Sequence, residues 1–169
     1  EFDYIKHMVK EYEPCFKKIE IGRPIFHYEG FESGPDDYSY FVDTMKDLIE
    51  KNSPCVFVGH GSAHPSNAVY GCLQSVLIDN DYEDVFVGTV EGYPNFSNVL
   101  KKAKKKDIKE ITIIPLMVVA GDHAKNDMAS DEEDSWKSRF ESEGIKANVI
   151  LKGLGEYEEF GNLYIDRIN

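Results

Sequence analysis

The sequence predicts an α/β fold, an open parallel sheet of about four strands with helices on both faces. Three observations carry this prediction. Short apolar runs rich in β-branched residues recur without polar alternation, the pattern of strands buried on both sides. Amphipathic stretches, with apolar residues three and four apart, separate them. A glycine-bearing loop follows each of the first three runs, in the place where open α/β sheets put their chemistry.

The elements follow in order. Residues 2–18 read as a helix through Ile5, Met8, Val9, Tyr12 and Phe16. Residues 19–25 read as a short strand-like piece broken at Gly22 and Pro24, and residues 30–37 as a turn in which Ser33-Gly34-Pro35-Asp36 opens a helix. That helix, over 38–51, places Phe41, Met45, Leu48 and Ile49 on one face. The first buried run is 54–59, followed by a helix over 68–78; the second is 85–90, followed by a helix over 96–106. The third run is 111–119. A helix around Trp136 and Phe140 is expected to open at Ser130 or Asp131, where the acidic cluster Asp127, Asp131, Glu132, Glu133 and Asp134 suits a helix dipole. A fourth strand over 147–151 and a last helix over 157–168 complete the pattern.

The composition narrows the function. The 169 residues suit one domain, or a domain plus part of another, and 41% hydrophobic content supports a core rather than a disordered acidic tail. A net charge of −12 argues against nucleic acid, whose phosphates need a basic face, and against a polybasic membrane contact. No stretch approaches the ~20 apolar residues of a membrane span. The cysteines are Cys15, Cys55 and Cys72, odd in number and widely spaced, so a disulfide framework or thiolate metal site is not expected. All three read as core residues, and a reducing cytoplasm fits them.

The strand-end loops carry the chemistry. The first is Gly59-His60-Gly61-Ser62-Ala63-His64-Pro65, the second Glu91-Gly92-Tyr93-Pro94, the third Ala120-Gly121-Asp122-His123-Ala124-Lys125. Neighbouring strand ends lie ~5 Å apart, so His60, Glu91 and His123 can converge on one ion or substrate atom. His64 either lines that pocket or caps the helix beginning near Pro65. His7 and His27 have no motif around them and read as surface or packing residues. The basic run Lys101 to Lys106 reads as the solvated face of a helix, with an anionic-ligand contact as the weaker alternative. No phosphate-binding glycine motif and no Gly-x-Ser-x-Gly elbow is present.

Two long motifs go further. Val58-Gly59-His60-Gly61-Ser62-Ala63-His64-Pro65 and Pro115 to Asp131, running on through Asp134-Ser135-Trp136-Lys137, resemble the anaerobic sirohydrochlorin cobaltochelatases of the CbiK type. Ile21-Gly22-Arg23-Pro24 and Gly88 to Pro94 fit the same pattern. The resemblance implies two α/β lobes with the active site between them, and insertion of Co²⁺ into the tetrapyrrole sirohydrochlorin. His60 and His123 match the family's paired catalytic, metal-binding histidines, Glu91 a third metal ligand, and Glu1 another active-site glutamate. His64, Tyr93 and Met117 are the candidate substrate contacts. Residues 1–34 are expected to be a helix and linker from the end of a first lobe, and 35–169 the C-terminal chelatase lobe. The expected partner is the tetrapyrrole, with no nucleic acid or membrane; a homo-oligomer is compatible.

These residue types suit the reaction. Metal insertion removes two pyrrole protons and exchanges the metal's ligands for ring nitrogens. Neutral imidazole is both a cobalt ligand and a base near neutral pH, and a carboxylate adds charge or takes a proton. Thiolates would hold a soft ion too tightly for delivery, and these loops have none. Histidine and carboxylate do not discriminate Fe²⁺ from Co²⁺, so iron is a second substrate metal to expect. A many-carboxylate substrate also calls for basic groups nearby, with Arg23 and Lys125 the candidates. Two readings stand as alternatives to the chelatase: a non-catalytic metal or tetrapyrrole carrier, and a metal-dependent hydrolase using the same two histidines.

Overall fold

The computed structural model describes residues 2–166. Glu1 lies outside the described residues, as does the expected end of the last helix at 167–168. The sheet is all parallel, in the order β2-β1-β3-β4. Its strands are β1 (Cys55–Gly59), β2 (Val85–Thr89), β3 (Glu110–Pro115) and β4 (Lys146–Val149). Around it lie α1 (Phe2–Tyr12), α2 (Asp37–Thr44), α3 (Lys46–Asn52), α4 (Ala68–Asp79), α5 (Phe96–Lys105), α6 (Trp136–Ser142) and α7 (Glu158–Ile165).

The absence of polar alternation in the first two runs has the expected cause. Every residue of β1 and β2 is buried, because both sheet faces are covered. Side chains of a strand point alternately to its two faces, and the core divides accordingly. Cys55, Phe57, Val85, Val87 and Ile114 face α2, α3, α4 and α7 through Phe41, Ile49, Leu73, Leu77, Phe160 and Leu163. Val56, Val58, Phe86, Ile111 and Ile113 face α5 and α6 through Val99, Ala103, Trp136 and Phe140. Each fully buried Phe or Leu among these contributes roughly 1.5–3 kcal/mol relative to exposure.

Several boundaries differ from the sequence pattern. The first helix stops at Tyr12 and passes into a short 3₁₀ turn, Glu13–Cys15, because Pro14 cannot continue an α-helix. No residue of α1 is buried, and Cys15 is exposed rather than core. Residues 19–25 form no strand; instead the buried Asp37 carboxylate gathers this segment. It accepts from the Arg23 guanidinium at 2.8 Å and from the backbone N–H groups of His27 and Tyr28 at 3.1 and 2.9 Å. The stretch 38–51 is two helices meeting at Met45, and β3 ends at Pro115 rather than 119. α6 opens at Ser135, whose hydroxyl accepts from Ser138 N–H, so the acidic cluster precedes the helix instead of starting it. The run Lys101 to Lys106 lies on an exposed face as expected; within it the Lys102 ammonium folds back to donate to Gln74 at 3.3 Å, and partial burial lowers its pKa.

The thiols follow their burial. Burial pushes Cys55 from the ordinary 9.0 up to about 12, so between those values the unfolded chain gives up this proton and the folded one keeps it. The contribution is complete below about pH 9 and is lost as pH rises toward 12. In folded protein at pH 8, a maleimide is expected to label Cys15 rapidly and Cys55 only after denaturation. Peptide mass analysis reads the order, and fast labelling of Cys55 would contradict this packing.

Candidate metal-handling site

The sheet order explains where the site forms. β1 lies between β2 and β3, with Gly59 beside Thr89 and Val58 beside Pro115. The chain leaves β1 toward α4 on one face and leaves β3 toward α6 on the other. Such a switch point opens a crevice at the carboxyl ends of the two strands. His60 follows β1 directly, and His123 follows β3 through the loop 116–122.

Local packing holds His60 in place. A Cβ on Gly59 would collide with the Tyr70 ring, and the Tyr70 hydroxyl accepts from Gly61 N–H at 3.2 Å. Gly61 has φ +86°, and a Cβ there would meet Gly92 N at 2.8 Å, so only glycine lets the two loops close on each other. Glu91 N–H donates to the His60 carbonyl at 2.8 Å, extending the β1–β2 ladder into the loops. Asn67 clasps the same region, accepting from Ser62 N–H at 3.0 Å and donating to the Tyr93 carbonyl at 2.5 Å. His123 sits at the head of a single wide helical turn, Ala124–Met128. Ala124 and Met128 bury one side of that turn, leaving His123 and Asp127 together on the other.

The two imidazoles meet. His60 Nε2 and His123 Nε2 are 3.0 Å apart, with the rings edge to face at 87°. Each outer nitrogen faces an acceptor: His123 Nδ1 is 2.6 Å from Asp127 Oδ2, and His60 Nδ1 is 3.1 Å from the Gly61 carbonyl oxygen. Acceptors at both Nδ1 atoms favour the neutral protons there, the tautomers in which two Nε2 lone pairs turn toward each other. A shared proton or a cation satisfies such a pair. Two imidazole nitrogens at about 2.0–2.1 Å from one ion lie roughly 3 Å apart when adjacent, which matches the spacing seen.

The other expected residues are placed differently. Glu91 stands at the same rim, its carboxylate 3.9 Å from His60 Nδ1, the ring nitrogen that does not meet His123. Among the described residues, no three His, Cys, Asp or Glu side chains are gathered to hold a metal ion. His64 caps the turn Pro65–Asn67, its Nδ1 accepting from Ser66 N–H at 3.1 Å. Tyr93 is 67% exposed, Met117 is half-buried, and after it Val118 and Val119 are exposed apolar side chains. Arg23 is committed to Asp37, whereas Lys125 is exposed two residues after His123. His7 and His27 are exposed, and the His27 ring packs on Tyr28. The sequence reading missed Asp127, Asn67 and Tyr70; a His-x-x-x-Asp spacing was the available signal for the first.

The fold and site define an α/β protein with a parallel sheet whose switch point is bridged by two facing imidazoles, and comparison with known proteins narrows the class. The chain matches the family described as cobalt chelatase (CbiK) over residues 1–169, and it belongs to that family. It is 32% identical over 172 aligned positions to the sirohydrochlorin cobaltochelatase of Salmonella typhimurium, covering all of this chain and 62% of that protein. It is 34% identical over 113 positions to the sirohydrochlorin cobaltochelatase CbiKC of Nitratidesulfovibrio vulgaris, covering 67% of this chain and 40% of the relative. The chain thus spans less than two thirds of the length of either relative.

Proposed function

We propose that this protein inserts Co²⁺ into sirohydrochlorin, with His60 and His123 binding the metal and accepting pyrrole protons. The observation that carries the reading is the 3.0 Å approach of two Nε2 atoms at the switch point, each with its Nδ1 on an acceptor. Family membership and the similarity to sirohydrochlorin cobaltochelatases support the substrate and the metal.

The chemistry closes on itself. The ion arrives on the two Nε2 lone pairs and passes to the ring nitrogens as the two pyrrole N–H bonds break. The lone pairs it vacates are the bases best placed to take those two protons. Both imidazoles are close to half exposed, so the protons then leave to water. Glu91 adds negative charge beside His60, where the Coulomb attraction favours an arriving cation. Glu1 keeps its part as an active-site carboxylate by resemblance alone. His64, Tyr93 and Met117 are the proposed substrate contacts, with Lys125 the basic group nearest His123 in the chain.

Residues 35–169 form the chelatase lobe in this reading, and 1–34 lead into it from a first lobe. Fe²⁺ is the second metal the donor set admits. The net charge of −12 and three free thiols support a cytoplasmic enzyme that engages neither nucleic acid nor membrane. Among the described residues, no helix is long and apolar enough to cross a membrane. Self-association is compatible with the reading.

The test is an absorbance assay of sirohydrochlorin with Co²⁺ under anaerobic conditions, using the protein as its gene encodes it. Conversion to the metallated spectrum well above the protein-free rate is expected. Binding of the tetrapyrrole or the metal without conversion would replace the chelatase with a carrier.

A further inference from the structure

The two imidazoles are not equivalent. Both turn Nε2 inward, but what holds each from behind differs in kind. His60 Nδ1 is hydrogen-bonded to a neutral backbone carbonyl at 3.1 Å, and the nearest carboxylate, Glu91, stands at 3.9 Å, beyond hydrogen-bond reach. His123 Nδ1 faces a carboxylate at 2.6 Å, on the same face of one tightly anchored turn. A charge-assisted bond of that length is roughly twice as strong as a neutral one. It also fixes the tautomer and strengthens the opposite nitrogen as a donor to metal.

We infer that Asp127 is a positioning residue that locks His123 with its Nε2 lone pair turned toward His60, making His123 the anchoring ligand and His60 the exchangeable one. The inference rests on the proposed metal-handling role of the pair. Asp127 touches no metal or substrate in this scheme; it acts through His123. Its carboxylate is held for the task, since Met128 and Ala124 of the same turn are fully buried in the core facing α5 and α6. The asymmetry suits delivery. An ion held equally by two strong donors leaves slowly, whereas loss of the weaker contact first opens a coordination position for the incoming ring nitrogen while the stronger one keeps the ion in place.

The experiment compares wild type with Asp127→Asn, Asp127→Glu and, as a control for charge, Asp131→Asn, whose carboxylate is exposed and paired with Lys137. The first readout is Co²⁺ affinity from visible-absorbance titration without tetrapyrrole. The second is the tautomer of each site histidine from long-range ¹H–¹⁵N correlation in metal-free protein. Asp127→Asn is expected to weaken Co²⁺ about 10–100-fold and to release His123, but not His60, from the Nδ1-protonated form. Asp127→Glu should recover part of both, and Asp131→Asn should stay within about twofold. An Asp127→Asn protein with wild-type thermal unfolding, unchanged affinity and an unchanged His123 tautomer would overturn the inference. So would equal loss in Asp131→Asn, which would make the effect one of bulk charge. Wild-type protein that binds Co²⁺ through the pair yet inserts none would sink the chelatase reading and leave the role of Asp127 standing. A wild type that binds no Co²⁺ at all would overturn both.

Discussion

Replacing His60 and His123 together by alanine is expected to lower the rate of Co²⁺ insertion about 10³-fold, the loss typical of removing a positioned acid–base group. The double variant removes both facing Nε2 atoms, the proposed metal donors and proton acceptors, at once. The single variants are expected to be unequal. His123→Ala should lose most of the Co²⁺ affinity, because it removes the carboxylate-backed donor. His60→Ala should retain more binding and lose turnover instead. Both side chains are nearly half exposed, so folding should survive, and unfolding curves within about 1 kcal/mol of wild type are the expected control. Insertion by the double variant at the wild-type rate would remove the catalytic reading of the pair.

Asp37→Ala is expected to cost about 2–3 kcal/mol of stability, and with it roughly 5–10 °C in Tm. Asp37 is 2% exposed and holds together what would otherwise be loose chain. Its oxygens accept from Arg23 Nη2 and Nε, and from the N–H groups of His27 and Tyr28. Truncation strands a guanidinium and two amides that were arranged around a negative charge. The Arg23 pKa, raised chiefly by its hydrogen bond to Asp37, should fall back toward its ordinary value. Asp37→Asn should recover only part of the loss, since the amide nitrogen would point at a donor. Thermal unfolding by circular dichroism measures this, and a change below 1 kcal/mol would mean that solvent already satisfies these groups.

The sheet was legible because its residues face one kind of surroundings. Val56-Phe57-Val58 and Val85-Phe86-Val87 are apolar throughout, since helices cover both sides. The order of the strands was not, because it depends on which long crossover packs on which face. The segment from Ile19 to Asp36 was read partly as strand, but it is held by one buried carboxylate from a later helix, a contact that local pattern does not encode. In the site, the glycines flanking His60 marked it at the end of its strand. The closeness of His123, a loop away from β3, was visible through the strand-end pattern and the long motif around it. Asp127 was hidden among acidic neighbours. A run of carboxylates ahead of a helix has a sufficient electrostatic explanation, which masks the one member whose spacing from a histidine matters.

The central place of β1 has a thermodynamic consequence. An ion lodged between His60 and His123 would join the loop leaving the middle strand to the loop leaving its neighbour, two segments 63 residues apart in sequence. It would act as a reversible crosslink across the crevice, and by mass action the native state would gain about 2.7 kcal/mol at a hundredfold excess over the dissociation constant. Heat resistance would then rise and fall with cobalt supply, and the empty protein would be the form most open to proteolysis at that rim.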